Sequence, residues 1–321
     1  MKPPSRPLAI ATRRSPLALV QARDVQARLA AQCGLTGDDI DAHFPILGLV
    51  STGDRIQDRT LIEAGGKGLF TKEIDEAQLD GRAAFAVHSM KDVPTVLPDG
   101  LVIGALLERE DPRDMLIARN GETRLSELPE GVTIGTASLR RQAQLLHKRP
   151  DLKVIPIRGN VDTRLGKLSE GEVHATFLAR AGLKRLGREE AQRAPLECDE
   201  MLPAVAQGAV GVAIRQADEV AARYLAALHD RPTELAVTAE RAFLAELDGS
   251  CRTPIAAHVN KVSMDFIGEV LTPDGKQCWR KQIRFDMTTE TPDSARQAGH
   301  VLGRAIRDAA GDGLYAALAS A

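Results

Sequence analysis

This 321-residue sequence has few of the features that mark nucleic-acid-binding, membrane or secreted proteins. Aromatic residues make up only 3%, which leaves few rings for stacking on single-stranded nucleic acid, and a net charge of −2 argues against a general polyanion binder. No stretch approaches the run of about 20 apolar residues that crosses a bilayer. Residues 1–8 are polar and proline-rich, unlike a signal peptide. We therefore expect a cytoplasmic protein that binds neither nucleic acid nor membranes.

The common metal and nucleotide motifs are also missing. The four cysteines are Cys33, Cys198, Cys251 and Cys278. They form no CxxC pair, no Cys/His zinc spacing and no dense disulfide framework, so we expect no metal. Gly66-Lys67 fails as a phosphate-binding loop, because Leu61 stands where the Walker pattern requires glycine and Gly68 follows the lysine. Neither GxGxxG after a strand nor GxSxG is present.

Arginine is far more common than lysine, with 31 residues against 11. Arginine suits forked hydrogen bonds to carboxylate or phosphate groups. A ligand that carries many small anionic groups would explain the excess, and so would a GC-rich genome. Both interpretations stay open on composition alone.

The pattern of apolar residues predicts an α/β protein with two similar lobes and a smaller third domain. Short apolar runs alternate with amphipathic stretches over the first two-thirds, and the rhythm restarts after Asp111–Asp114, which predicts two periplasmic-binding-protein-like α/β domains with a cleft between them. Predicted strands cover 8–12, 42–49, 84–88, 101–107, 115–118, 132–136, 153–157, 175–179 and 209–214. Predicted helices cover 15–32, 71–79, 138–147 and 161–168.

The C-terminal part has a different pattern. A helix over 234–247, strands over 255–262, 266–271 and 278–285, and a helix from 294 predict a separate α+β domain. The predicted domains are 1–107 with 208–228, 112–202, and 231–321.

Polar residues follow several predicted strands, where α/β folds bind ligands. His88 to Pro94 is one such segment; Asp92 is either a surface ion pair with Lys91 or a carboxylate that stabilises a cation and moves protons. Arg140 and Arg141 begin a predicted helix, where cations oppose the helix dipole. An anionic ligand would relieve that conflict.

Further arginines follow strands at Arg13, Arg158 and Arg164. A single arginine of this kind usually marks a solvated face. Several at corresponding junctions favour a cleft that binds carboxylates or phosphates. Cys251 lies in a loop between Gly249 and Pro254, and its neighbours alone favour an incidental buried cysteine.

In combination these motifs resemble the porphobilinogen deaminase family over essentially the whole chain. The matching segments are Ile10–Arg13, Ser15–Ala18, Gly65–Phe70, His88–Pro94, Glu110–Asp114, Gly135–Arg141, Arg158–Val161, Ala181–Leu186 and Gln207–Ala209. Such a series of motifs, in this order, is specific to that family.

The resemblance implies a three-domain transferase that condenses four porphobilinogen molecules, with loss of ammonia, on a dipyrromethane cofactor and releases 1-hydroxymethylbilane. The cofactor would be joined to Cys251 by a thioether, and Asp92 would be the catalytic carboxylate. The other cofactor-binding residues would be Lys91, Ser138, Arg140, Arg141 and Asp92. The substrate-binding residues would be Arg13, Ser15, Lys67, Arg158, Arg164 and Arg185. We expect a monomer.

Three positions depart from the family pattern. Ser250 replaces a glycine that often precedes the cofactor cysteine, Ala206 stands where glycine is common, and Glu63 stands where some relatives have lysine. Only Glu63 puts contacts to the substrate in doubt. A two-lobed solute-binding or sensor protein without enzymatic activity is the main alternative, and it would have no use for Cys251. A nucleic-acid-binding regulator is a weaker one, disfavoured by the charge and the few aromatics.

Overall fold

A computed structural model describes residues 1–55, 68–247, 253–311 and 313, which fall into two compact units. Of the described residues, unit 1 contains 1–55, 68–109 and 209–234, and unit 2 contains 110–208 and those from 235 onward. Both units are mixed α/β, which confirms the predicted fold class. The predicted division into three domains stays a prediction.

Strands and helices are numbered along the described chain. The strands are β1 (Ile10–Arg13), β2 (Ile46–Leu49), β3 (Phe85–Ser89), β4 (Leu101–Leu106), β5 (Asp114–Ala118), β6 (Thr133–Gly135), β7 (Lys153–Ile155), β8 (Ala175–Ala179), β9 (Val210–Arg215), β10 (Ile255–Asn260), β11 (Asp265–Leu271) and β12 (Cys278–Arg284). The helices are α1 (Pro16–Cys33), α2 (Asp38–His43), α3 (Thr52–Arg55), α4 (Lys72–Leu79), α5 (Leu139–Lys148), α6 (Val161–Ser169), α7 (Arg180–Arg185), α8 (Glu219–Leu225), α9 (Arg231–Glu246) and α10 (Pro292–Ala310).

Unit 1 is built on a five-stranded sheet with the order β2-β1-β3-β9-β4. Strands β1, β2 and β3 run parallel, and β9 is antiparallel to both β3 and β4. Neighbouring strand residues face opposite sides, so Ile10 packs in one apolar cluster and Ala11 in the other. Both faces of the sheet therefore pack against apolar clusters.

Unit 2 contains a four-stranded sheet with the order β5-β8-β6-β7 and an antiparallel meander of β10, β11 and β12. Strands β6, β7 and β8 are parallel, and β5 is antiparallel to β8. Alternation along β5 sends Leu116 and Met115 into the cores on opposite faces of the sheet. Helices α9 and α10 approach closely at Gly299, where an added Cβ would lie 2.3 Å from the Ala239 carbonyl oxygen.

Most predicted elements are present, and capping explains several boundaries. Ser15 accepts a hydrogen bond from the Ala18 amide and Pro16 opens α1, as the Ser-Pro pair predicts. The strand predicted over 42–49 was wrong in its first half, because Ala42 and His43 end helix α2. Helices α7 and α8 are too short for their periodicity to stand out in the sequence. In the described chain, no helix combines the length and apolar character of a membrane span.

Helix α4 carries a buried carboxyl group that predicts how unit 1 responds to pH. Asp75 is 6% exposed, and its Oδ1 atom has no hydrogen-bond partner among the described residues. Burial raises the pKa of Asp75 to about 6, against a smaller lowering by the Thr71 hydroxyl. Because the native pKa lies above that of the unfolded chain, the protonated carboxyl contributes its full stability to the fold below about pH 4. This stability is lost as the pH rises through about 6.

Asp75→Asn should therefore raise the free energy of unfolding at pH 7.5, by about 1–3 kcal/mol, and should lose this advantage near pH 4. Urea unfolding at both pH values measures the difference. Asp99→Asn, an exposed change in the same unit, serves as the control and should alter stability by less than about 0.5 kcal/mol. Equal effects of Asp75→Asn at the two pH values would show that the native carboxyl titrates normally.

Candidate active site

The topology of unit 1 brings polar side chains to one edge of its sheet. Parallel strands end at the same edge, so residues at or just after the ends of β1, β2 and β3 meet there. Arg13 ends β1, Asp54 lies in the short helix after β2, and Asp92 lies in a 3-10 turn directly after β3. The predicted site residues Arg13 and Asp92 are therefore neighbours.

The guanidinium of Arg13 is held on two sides. Its Nη2 and Nε atoms donate to the Asp54 carboxylate, with 3.1 Å from Nε to Oδ2, and its Cζ atom lies over the Phe70 ring, 4.3 Å from the ring centre. Ser51 donates to Asp54 at 2.6 Å and fixes that carboxylate. Burial by itself would raise the pKa of Asp54, but these hydrogen bonds bring it below its usual value.

The Asp92 carboxylate faces Arg13 more loosely. Arg13 Nη1 lies 3.9 Å from Asp92 Oδ2, and the Asp92 side chain is 36% exposed. Its neighbour Lys91 is exposed as well. The Asp92 carboxylate is therefore accessible, with one fixed positive charge beside it. This carboxylate can receive a cationic group from solvent.

His88 lies on β3 beneath this edge and is buried. Burial, and then the positive charge of Arg13, lowers the pKa of His88 to about 4. The imidazole is therefore neutral at physiological pH. Ser89, the last residue of β3, is hydrogen-bonded to Gln21 of α1 at 2.9 Å, which ties the end of the strand to the helix.

In unit 2 the arginine-bearing junctions also share one edge. Strands β6, β7 and β8 are parallel, so the residues after β6 and β7 follow neighbouring carboxyl ends. Arg158 lies between β7 and α6, and Arg164 lies on α6, where its Nε donates to the Gly159 carbonyl at 3.0 Å. Both arginines are half-buried.

Arg140 and Arg141, in the first turn of α5, are almost fully buried. Each donates through Nη2 to the Asp114 carboxylate at 2.7 Å. Through Nη1, Arg140 donates to the Leu202 carbonyl at 2.6 Å and Arg141 to the Phe177 carbonyl at 2.7 Å. Their sequence position predicted an anionic ligand, which stays a prediction; the acceptor that both guanidiniums share in the structure is an internal aspartate.

Asp114 is completely buried and strongly ionised. Burial by itself would raise its pKa, but Arg140 and Arg141 hold the pKa of Asp114 well below its usual range. Gln207 Nε2 adds a third donor at 2.9 Å. No local pattern distinguishes Asp114 or Gln207 as a site residue, although both lie in segments that match the family.

The start of α5 retains capacity for an anion. Ser138 is the N-cap and accepts from the Arg141 amide, and Thr136 accepts from the Ser138 amide at 3.1 Å. Within the described chain, the buried Nε of Arg141 has no hydrogen-bond partner. A buried N–H without an acceptor is costly, so this donor suits a carboxylate that arrives with a ligand.

Two other predicted residues have structural partners. Ser15 caps α1, as described above, and Arg185 Nη2 donates to the Gly208 carbonyl at 2.8 Å. Gly208 has φ +88°, and a Cβ there would lie 2.4 Å from the Glu110 carbonyl oxygen. Arg185 thus supports a tight crossing of two chain segments, and its predicted contact with substrate stays a prediction.

Some predictions fall outside the described residues. These are Cys251, Lys67, Glu63 and Ser250. Burial raises the pKa of the Cys198 thiol to about 11 and that of Cys278 to about 12, and it also raises the pKa of Cys33. At neutral pH these three thiols are protonated and poor nucleophiles. Among the described residues, no group of three His, Cys, Asp or Glu side chains could hold a metal ion.

Comparison with known proteins now identifies the family. Residues 8–223 match the family model "Porphobilinogen deaminase, dipyromethane cofactor binding domain", and residues 234–308 match "Porphobilinogen deaminase, C-terminal domain". The chain belongs to the porphobilinogen deaminase family. It is similar to the porphobilinogen deaminase of Phenylobacterium zucineum, with 49% identity over 97% of this chain and 99% of that one. It is also 48% identical to the chloroplastic porphobilinogen deaminase of Oryza sativa subsp. japonica, over 92% and 83% of the two chains.

Among solved structures, the chain has partial likeness to solute-binding proteins. A putative methionine-binding lipoprotein from Bacillus subtilis shares 13% identity with a TM-score of 0.41, over 71% of this chain and 92% of that one. The sulphonate-binding protein SsuA from Escherichia coli gives a TM-score of 0.39 at 13% identity, over 76% and 71%. Both TM-scores are below 0.5.

Membership of the deaminase family makes this chain a transferase of tetrapyrrole biosynthesis, a hydroxymethylbilane synthase with a dipyrromethane cofactor. The residues present in unit 2 fit that group. A dipyrromethane built from two porphobilinogens carries acetate and propionate side chains. The start of α5 offers a buried N–H of Arg141 that has no partner in the described part of the chain, beside a second guanidinium. Carboxylates are the ligands that such donors prefer.

Proposed function

We propose that this chain carries out its reaction with Asp92 as the catalytic carboxylate and Cys251 as the attachment point of the cofactor. Four porphobilinogen molecules are condensed in turn, each with loss of one ammonia, and water then releases 1-hydroxymethylbilane. The observation that carries the assignment of Asp92 is its exposed position at the sheet edge, 3.9 Å from a guanidinium that other groups hold in place.

In unit 1, Arg13 would bind a carboxylate of the incoming substrate through the edge that Asp54 leaves available. Loss of ammonia from porphobilinogen produces a cationic methylene pyrrole. Asp92 would stabilise that cation, and its carboxylate can then accept the proton that the attacking ring loses from its α-carbon as it regains aromaticity. The neutral His88 adds no positive charge against this cation.

In unit 2, the start of α5 would hold carboxylates of the cofactor through Arg140, Arg141 and Ser138. When bound, the dipyrromethane would supply the free α-carbon that takes up the first unit, and each added ring would then present its own free α-carbon to the next unit. Arg158 and Arg164 would bind acetate and propionate groups of the growing chain. Every ring brings two carboxylates, and burying them without guanidinium partners would be prohibitive.

We also propose a cytoplasmic monomer.

A stoichiometric assay tests the reaction. Wild-type protein incubated with porphobilinogen should release four ammonia molecules for each 1-hydroxymethylbilane formed, because each condensation expels one. Ammonia is measured by a coupled assay and the bilane by mass spectrometry. A solute-binding or sensor protein, the alternative that the two-lobed pattern suggested, would bind porphobilinogen without releasing ammonia.

A further inference from the structure

The buried carboxylate of Asp114 is the centre of a charge cluster in unit 2. It accepts hydrogen bonds from Arg140, Arg141 and Gln207, at 2.7, 2.7 and 2.9 Å. Neither Asp114 oxygen lacks a donor, and the side chain is 0% exposed. Gln207 is itself anchored, since its amide nitrogen also donates to the Pro112 carbonyl at 2.6 Å.

The antiparallel direction of β5 explains how an aspartate reaches this place. Asp114 is the first residue of β5 and pairs with Ala179, the last residue of β8. The beginning of β5 therefore lies at the carboxyl edge of β8 and β6, which run parallel to each other. Helix α5 starts at that edge, so its first-turn arginines are within reach of Asp114.

Counting charges shows that the cluster is incomplete. Two guanidiniums, 6% and 5% exposed, share a single carboxylate, which leaves one positive charge in excess. The nearby carboxylate of Glu269 is paired with Arg280 at 3.2 Å. Burial lowers the pKa of Arg140 in spite of Asp114, as expected where a cation is not fully compensated. A ligand carboxylate would restore neutrality.

We propose that Asp114 is a positioning residue for the cofactor: it holds Arg140 and Arg141 side by side so that one ligand carboxylate can bind to the two guanidiniums. That carboxylate would accept from the Arg141 Nε–H, which has no partner among the residues that the structure describes. Without Asp114, two adjacent guanidiniums repel each other and have no shared acceptor. The carbonyls of Leu202 and Phe177 fix only the Nη1 atoms. The proposal rests on the assigned cofactor and adds a residue that does not touch it.

Cofactor loading measures this role without relying on turnover. Wild-type, Asp114→Asn and Asp114→Glu proteins are purified and weighed intact, and the fraction that carries the dipyrromethane is recorded. Asp114→Asn should lower that fraction about tenfold or more, because removing one partner of a buried ion pair leaves its charges uncompensated. Asp114→Glu keeps the carboxylate and should retain several times more cofactor than Asp114→Asn. Asp151→Asn, which removes a half-exposed partner of Arg149 in the same unit, should load fully.

The order of the variants separates three explanations. If Asp114 only fills space, the isosteric asparagine should load better than the larger glutamate. If only net charge matters, Asp114→Asn should hold the anionic cofactor at least as tightly as wild type. Either order would overturn the proposal. Wild-type protein without any cofactor would instead contradict the proposed function.

A second variant covers the case in which the Asp114 variants do not fold, as judged by circular dichroism. Gln207→Ala keeps all three charges and removes one donor to Asp114. It should lower loading several-fold while thermal unfolding stays close to that of Cys251→Ala, which also lacks cofactor. Full loading of Gln207→Ala under these conditions would overturn the proposal.

Discussion

Replacing Cys251 with alanine should give a protein at its plain polypeptide mass and with no bilane synthesis. The wild-type chain should be heavier by two porphobilinogens less two ammonias, because one ammonia is lost as the first unit forms the thioether and one as the second unit joins the first ring. Alanine has no sulfur to form that bond. Intact mass spectrometry measures the mass, and the porphobilinogen assay measures the activity. We expect activity to fall below detection, the largest effect of any single substitution in this chain.

Three other cysteines provide matched controls for this experiment. Cys33→Ala, Cys198→Ala and Cys278→Ala should each keep the full mass excess, since the pKa of each thiol is raised by burial. A protonated thiol is a weak nucleophile. If the mass excess moves to one of these cysteines, or if the wild type shows none, the assignment of Cys251 is wrong.

Asp92→Asn should lower kcat on the order of a hundred- to a thousandfold while the affinity for porphobilinogen changes little. The amide keeps the size of the carboxylate but cannot stabilise a cation by its charge or accept the ring proton. Arg13 should stay in place, since its closer partner is Asp54, at 3.1 Å, and Asp92 lies at 3.9 Å. Substrate capture and chemistry are therefore separable in this variant.

Rapid-quench turnover on protein that carries cofactor measures the chemical step, and equilibrium binding measures capture. Asp99→Asn, an exposed carboxylate in the same unit, is the control and should leave both unchanged. A fall in affinity equal to the fall in kcat would mean that Asp92 binds substrate and does not stabilise the cation. A loss of kcat smaller than tenfold would remove Asp92 from the chemistry.

The environments of the two carboxylates Asp92 and Asp114 suit different tasks. Asp92 is exposed, and the nearest guanidinium lies 3.9 Å away, so its carboxylate remains available to a reacting group. Asp114 is sealed among three donors and has no free oxygen, so it can organise other side chains but cannot meet substrate. The aspartates have the same chemistry, and burial separates their functions.

Sequence patterns predicted most strands and helices because each depends on local properties. The Ser15-Pro16 pair specifies a helix start through a side-chain hydrogen bond and a fixed φ angle. Apolar runs predicted the bounds of strands β8 and β11 to within one residue of those observed. Helix α2 was missed because Asp38–His43 is short and has no buried residue to give it a periodic face.

By itself, the sequence determined the α/β class, the family and the residue types that can hold carboxylates, since these depend on composition, local periodicity and motifs in order. Only the tertiary structure decided which partners those residues have. Asp54 reaches Arg13, and Asp114 reaches Arg140 and Arg141, through strand directions that bring distant segments to one sheet edge. Pairings of this kind depend on register and burial across the sheet, which no local pattern records.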